Sequence, residues 1–286
     1  MRSNPRSLLL GAFACAMLVA IGGGGWVSWS PAPAESAPTS SPAQAEETAL
    51  PLPPAPVRLS DDPEYDRCLD MLGYDPTGSA ALAEAWETHG GGEAARHCAA
   101  LAMLALGEAE RAAPRLEQIG RTSTAGAMAR AAVFGQAAQA WMIAGAPQRA
   151  YGAVTMALTL APEDADLLID RAVTSGVQSR YEEAMQDLDR ALVLAPDRTD
   201  ALVFRAAAAR HLERPEAALA DLEAALTIDP DSAEALLERG ILKQMKGDPD
   251  GARQDWQRAI ALAPDSPTAD LAAQNIALNE AGPRRN

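Results

Sequence analysis

Pro162, Pro196, Pro230 and Pro264 stand 34 residues apart. A fixed spacing of that kind marks one structural unit laid down in copies. Such a unit cannot bury its apolar face alone and gains a core only by stacking on its neighbours. Copies do not each carry a private active site, so the period points to a binding scaffold.

Other residues keep the same register. Ten residues beyond each proline is a small residue: Ala172, Ala206 and Gly240. Twenty-two beyond is Ala184, Ala218 and Ala252, and twenty-nine beyond is Ala191, Ala225 and Ala259. Twenty-six beyond is large and apolar: Leu188, Leu222 and Trp256. Two helices per unit explain the set, because close helix crossings need small residues at the contact and a large neighbour fills the space they leave. Tyr181, Ala184, Met185, Leu188, Ala191 and Leu192 follow the three-four spacing of an apolar helical stripe. Pro147, Pro215 and Pro249 fall where second helices should begin, and a proline at the first helical position lacks only an N–H that would have no partner.

A small residue in the first helix, then Ala, a large residue, Ala and a closing proline resembles the framework of the tetratricopeptide repeat family. Gly240 with Ala252, Trp256, Ala259 and Pro264 is the closest copy. An earlier copy keeps Trp141, Gly145, Ala150, Val154, Ala157 and Pro162, with Met128 where the preceding proline would stand. Residues 93–119 read as a further helix pair, too short for a full unit, with Ala112 and Leu116 in register. The resemblance implies an all-α fold: a right-handed α-solenoid of helix-turn-helix repeats, with extra N-terminal helices and a C-terminal capping helix. The expected organisation is a helical N-terminal region with a degenerate repeat over 61–127, repeats and capping helix over 128–281, and a tail over 282–286.

The N-terminus reads differently. Arg2 and Arg6 precede an apolar run from Leu8 to Ile21, followed by Gly22–Gly25 and Trp26 to Trp29. Residues 1–30 are therefore expected to be a secretory signal or a signal anchor. Small-residue cleavage sites follow at Ala32-Pro33-Ala34 and Ala43-Gln44-Ala45, and the span from Leu8 to Trp29 would reach a bilayer's width if left uncut. Residues 31–60, rich in Pro, Ala and Ser, read as a disordered linker. The expected location is the periplasm or cell envelope, with membrane contact only through an uncleaved N-terminus.

Export changes how the cysteines read. Cys15 lies in the signal, which leaves Cys68 and Cys98 in an oxidising compartment, where they suggest a disulfide; two buried free thiols are the alternative. The formal charge of −15 speaks against nucleic acid, which demands a basic surface. No G-x-S-x-G, phosphate loop or H-E-x-x-H occurs, and His97 beside Cys98 has no second Cys/His pair at metal spacing. The chain is expected to be no enzyme and to need no cofactor or metal.

One charged pattern repeats. Arg171, Arg205 and Arg239 follow each proline by nine residues, and Asp187, Asp221 and Asp255 by twenty-five. Partly buried charges need partners, so these read as structural ion pairs within or between copies, against a rival reading as an arginine row for a partner's carboxylate. By resemblance, the first helices line a concave surface. Mapped here it carries Ile169, Val173 and Val177, then Val203, Ala207, Arg210 and His211, then Leu237, Ile241 and Met245, with Asp166, Asp200 and Glu234 along its rim. The Lys and Asn positions of the family's carboxylate-clamp members are apolar here, so a chaperone tail is disfavoured. An apolar floor with acidic edges suits a protein or peptide segment with apolar anchors and basic flanks. The reading is an exported interaction scaffold. Its alternative is an envelope assembly or maturation factor that holds an unfolded client, similar to tetratricopeptide subunits of cytochrome c biogenesis.

Overall fold

The computed structural model describes residues 58–281. The signal or anchor over 1–30, most of the linker and the tail over 282–286 lie outside the described residues. Among the described residues there are thirteen α-helices and no strand. They are α1 Pro63–Met71, α2 Pro76–Thr88, α3 Gly92–Ala105, α4 Ala109–Thr122, α5 Ala127–Ile143, α6 Pro147–Leu160 and α7 Ala165–Val177. They continue as α8 Tyr181–Leu194, α9 Thr199–His211, α10 Pro215–Ile228, α11 Ala233–Met245, α12 Pro249–Leu262 and α13 Pro267–Ala281. Each packs on the next in sequence, giving an all-α repeat solenoid closed at its C-terminal end by α13.

Local chemistry sets the boundaries. Asp164, Ser232 and Ser266 cap α7, α11 and α13 by accepting from the backbone N–H of Leu167, Ala235 and Ala269 at 3.1–3.2 Å. Prolines open α1, α2, α6, α10, α12 and α13. The unit prolines sit two residues past the ends of α6, α8, α10 and α12, where they turn the chain into the next copy. Residues 93–119 form more than the short pair expected. α3 and α4 are each 14 residues long, as long as any second helix of the repeats, and Ala112 and Leu116 are fully buried.

The core of the repeats lies in successive sections along the stack. Phe134, Leu168 and Leu188 fill its first section, Leu222 the next, and Leu236, Leu237 and Trp256 the last. Every register alanine between Ala172 and Ala259 is buried, so backbones approach closely and a few large residues supply most of the buried volume. Burying a side chain such as Phe134 contributes about 2–3 kcal/mol.

The N-terminal helices are tied to one another and to this stack. Cys68 on α1 is disulfide-bonded to Cys98 on α3, with the Cα atoms 6.3 Å apart. The Ser79 hydroxyl of α2 donates to Cys68 O at 2.9 Å beside that bond. Immediately before Cys98 on α3, buried His97 bridges the Tyr65 hydroxyl, 2.7 Å from Nδ1, and Gln136 Oε1 of α5, 2.6 Å from Nε2. Gln136 Oε1 can only accept, so Nε2 carries the proton and Nδ1 accepts from Tyr65. Burial lowers the His97 pKa to about 4, against an opposing pull from Gln136, and pushes the Tyr65 phenol up to about 12.

Candidate protein-binding surface

The first helices of successive units, α5, α7, α9, α11 and α13, touch one another in turn, while the second helices approach one another far less. Elements on the inner side of an arc are closer together than those outside. The first helices therefore line the concave side.

Ile169, Val173, Val203 and Leu237 are buried in the core between packed helices. These four were expected on the groove floor and are core residues instead. Ile241 is half-buried and packs against the core beneath it. Met245, at 61% exposed, stands in solvent.

Arg210 also differs from the expectation of an open groove residue. Its Nε and Nη2 reach Glu238 Oε2 and Oε1 on α11 at 3.0 and 3.4 Å. Burial pushes the Glu238 carboxyl up, and Arg210 pulls it back. His211 is exposed and stacks on Tyr181, with ring centroids 4.3 Å apart and planes 1° from parallel. Burial and the Arg210 charge both lower its pKa.

What remains open is two rows along the edges. Ile143, Val177, His211 and Met245 recur every 34 residues at the C-terminal ends of the first helices. Ile143 was not among the residues singled out from sequence; it belongs to the eroded copy, and only counting back from Met245 reveals it. On the other edge are Asp166, Asp200 and Glu234. Arg198 holds Asp200 through two hydrogen bonds, at 2.9 and 2.6 Å, and also grips Asp166. Glu234 accepts from Thr268 Oγ1 at 3.3 Å. Arg198 was missed in the sequence, yet it occupies the capping position held by Asp164, Ser232 and Ser266 in the sister units, and that irregularity was readable.

The repeated arginines do not face a partner. Each meets the aspartate of its own unit in a two-pronged pair: Arg171 with Asp187 at 2.7 and 2.7 Å, Arg205 with Asp221 at 2.9 and 2.6 Å, and Arg239 with Asp255 at 2.8 and 2.7 Å. Each pair joins the first helix of a unit to its second. Arg205 also reaches Asp189 of the preceding unit at 2.8 Å. Burial would raise the Asp255 carboxyl, but hydrogen bonds from Arg239 and Lys243 hold it below the usual aspartate range. Among the described residues, no three His, Cys, Asp or Glu side chains are gathered to hold a metal ion, and no helix is long and apolar enough to cross a membrane.

Residues 206–277 match the tetratricopeptide repeat family model. A chain of the APC/C hetero-tetramer Cut9–Hcn1 is similar in structure, with a TM-score of 0.60 and 16% identity over 74% of this chain and 42% of that one. The MamA 41-end structure from Desulfovibrio magneticus RS-1 is similar with a TM-score of 0.50 and 20% identity, over 58% of this chain and 93% of that one. No curated protein matches the chain. At these identities the likeness is one of fold, and the family model covers only the last part of the repeat region.

Proposed function

We propose that this chain is an exported protein-interaction scaffold that binds a segment of another protein along the concave side of its repeats. The observation that carries the reading is the pair of in-register rows on the first helices, apolar through Ile143, Val177 and Met245 and acidic through Asp166, Asp200 and Glu234. Rows that repeat with the helices suit a ligand that is itself extended or helical, since such a segment offers side chains at regular intervals. Apolar anchors lie against the first row and a basic residue against the second at Glu234, since Arg198 already holds Asp166 and Asp200. The His211–Tyr181 stack adds a flat ring face midway along the apolar row. Export is supported by the charged and apolar N-terminus and by a disulfide, a bond that persists in oxidising compartments.

Because Val203 and Ile241 contribute to packing, the edge rows are the place to test. Full-length protein carrying Ile143→Glu and Met245→Glu is compared with wild type in capture from an envelope extract, with far-ultraviolet circular dichroism as the folding control. A partner held by wild type and lost by the folded variant is the expected result. Retention by both moves binding off the concave side. A captured client that binds only when unfolded would favour the assembly-factor reading.

A further inference from the structure

A second surface adjoins the acidic edge of the concave side, where one unit passes into the next, and shares Asp166 and Arg198 with that edge. Two open clefts meet there. The first, of about 440 Å³, lies between the N-terminal end of α5 and the α6–α7 turn and is lined by Met128, Leu160 and Pro162 with Asp164, Asp166 and Arg198. The second, of about 280 Å³, is lined by Val193 and Leu194 of α8 with Asp189 and Arg190. Glu163 lines both.

The repeats themselves show what the fold requires at these positions. Val193 is 84% exposed, and its counterparts in the other units are Thr159, Thr227 and Ala261. The hydroxyls of Thr159 and Thr227 each bond a carbonyl of their own helix, which a valine cannot do. Met128 is half exposed where four sister positions have proline. Arg198 replaces a helix cap. Three departures from the repeat's own pattern thus surround one glutamate. Val193 gains little packing from its departure, and residues that break a local rule without a folding gain belong to function more often than to stability.

The electrostatics choose the occupant. Arg190 donates to Pro162 O at 3.1 Å, Arg198 holds Asp166 and Asp200, and Arg205 holds Asp189. Arg198 and Arg205 are engaged by carboxylates and Arg190 is held on a backbone carbonyl, so these cations fix the walls of the clefts. Glu163 is exposed and has no cation of its own among the described residues. We infer that the edge around Glu163 is a second docking site, for a short partner segment that places an aliphatic side chain against Val193 and a lysine or arginine on Glu163. Anchor and charge together give a small site its affinity and its choice of partner.

The test needs no known ligand. A phage-displayed library of random 12-residue peptides is selected on the full chain, and the strongest binder is synthesised with a fluorescent label. The expected motif pairs an aliphatic residue with a lysine or arginine. The labelled peptide should lose at least tenfold in affinity to Val193→Asp and to Glu163→Lys, and to neither Ile143→Glu nor Met245→Glu. The altered side chains are exposed, so melting temperature checks folding. No enrichment overturns the inference, as does a motif without a basic residue or affinity indifferent to Val193 and Glu163. A change of mass in sedimentation caused by Val193→Asp would make a second copy the occupant and also overturn it. Peptides lost only to Met245→Glu would support the concave site and count against this one.

Discussion

The indole of Trp256 occupies the space that a side chain on Gly240 would need. A methyl group there would lie 2.3 Å from Nε1 and 2.6 Å from Cδ1 of the ring, and the ring is fixed in place by its N–H, which donates to Leu237 O at 3.2 Å. The two preceding units solve the same crossing with Ala172 against Leu188 and Ala206 against Leu222. Gly240→Ala gains helix propensity but forces a rigid ring to move, so a net loss of about 1–3 kcal/mol is expected. Trp256→Leu alone leaves a cavity and costs about 2–4 kcal/mol. The double variant reproduces the alanine–leucine pairing of its neighbours and should recover much of both losses. A double-mutant cycle by chemical denaturation measures the coupling, and additive losses would contradict the packing argument.

The turn inside each unit demands a left-handed residue. Gly145 and Gly247 meet that demand with φ of 69° and 82°, whereas Ser179 and Glu213, at the same register, adopt 59° and 57°. A residue with a Cβ is strained there by about 1–2 kcal/mol, part of which glycine gives back through its freer unfolded chain. Ser179→Gly and Glu213→Gly should therefore each stabilise the fold by about 0.5–1 kcal/mol, seen as a raised denaturation midpoint with an unchanged slope. A fall in midpoint for either would mean that its side chain contributes a contact that outweighs the strain.

The sequence carried the fold because a repeat is read several times over. The spacing of Pro162 to Pro264, the alanines and the Gly240–Trp256 exchange each report the same helix crossings. The concave surface was less legible. Side-chain type places Ile169, Val173, Val203 and Leu237 on a face, but whether that face is open depends on how near the helices of the next unit come, which the pattern within one unit does not state. Arg210 could not be assigned either, since its partner Glu238 lies in the next copy. Residues outside the period, such as Tyr65, His97 and Gln136, left no regular signal at all.

Cys68 and Cys98 join α1 to α3 across a separation of 30 residues. Closing a loop of that size lowers the entropy of the unfolded chain by an amount worth about 3–4 kcal/mol at room temperature. Cys68→Ser with Cys98→Ser, or reduction in denaturant, should lower stability by about 2–4 kcal/mol. The effect should fall mainly on the N-terminal helices, because the repeat core beyond α5 packs without them. Hydrogen exchange that quickens over residues 63–105 and stays slow over 165–262 is the expected pattern. Uniform quickening would show that the disulfide supports the whole stack.

His97 gives the N-terminal helices a dependence on pH whose direction follows from burial. Its pKa is lowered to about 4 in the folded chain, against about 6.5 when unfolded. The unfolded state therefore takes up a proton first as pH falls. The stabilisation is fully present above pH ~6.5 and is lost progressively as pH drops towards ~4, by up to about 3 kcal/mol. Two acids frame this window. Burial pushes Glu238 upward, so its protonation acts in the opposite direction, while Asp255, held low by Arg239 and Lys243, adds a loss only at lower pH. His97→Gln removes the histidine and leaves both acids in place. Unfolding free energies at pH 7.5, 6, 5 and 4.5 should converge for wild type and variant as pH falls, because wild type loses the histidine's contribution and the variant has none to lose. Parallel curves would show that His97 titrates alike in both states and that the Tyr65–His97–Gln136 bridge sets no pH response.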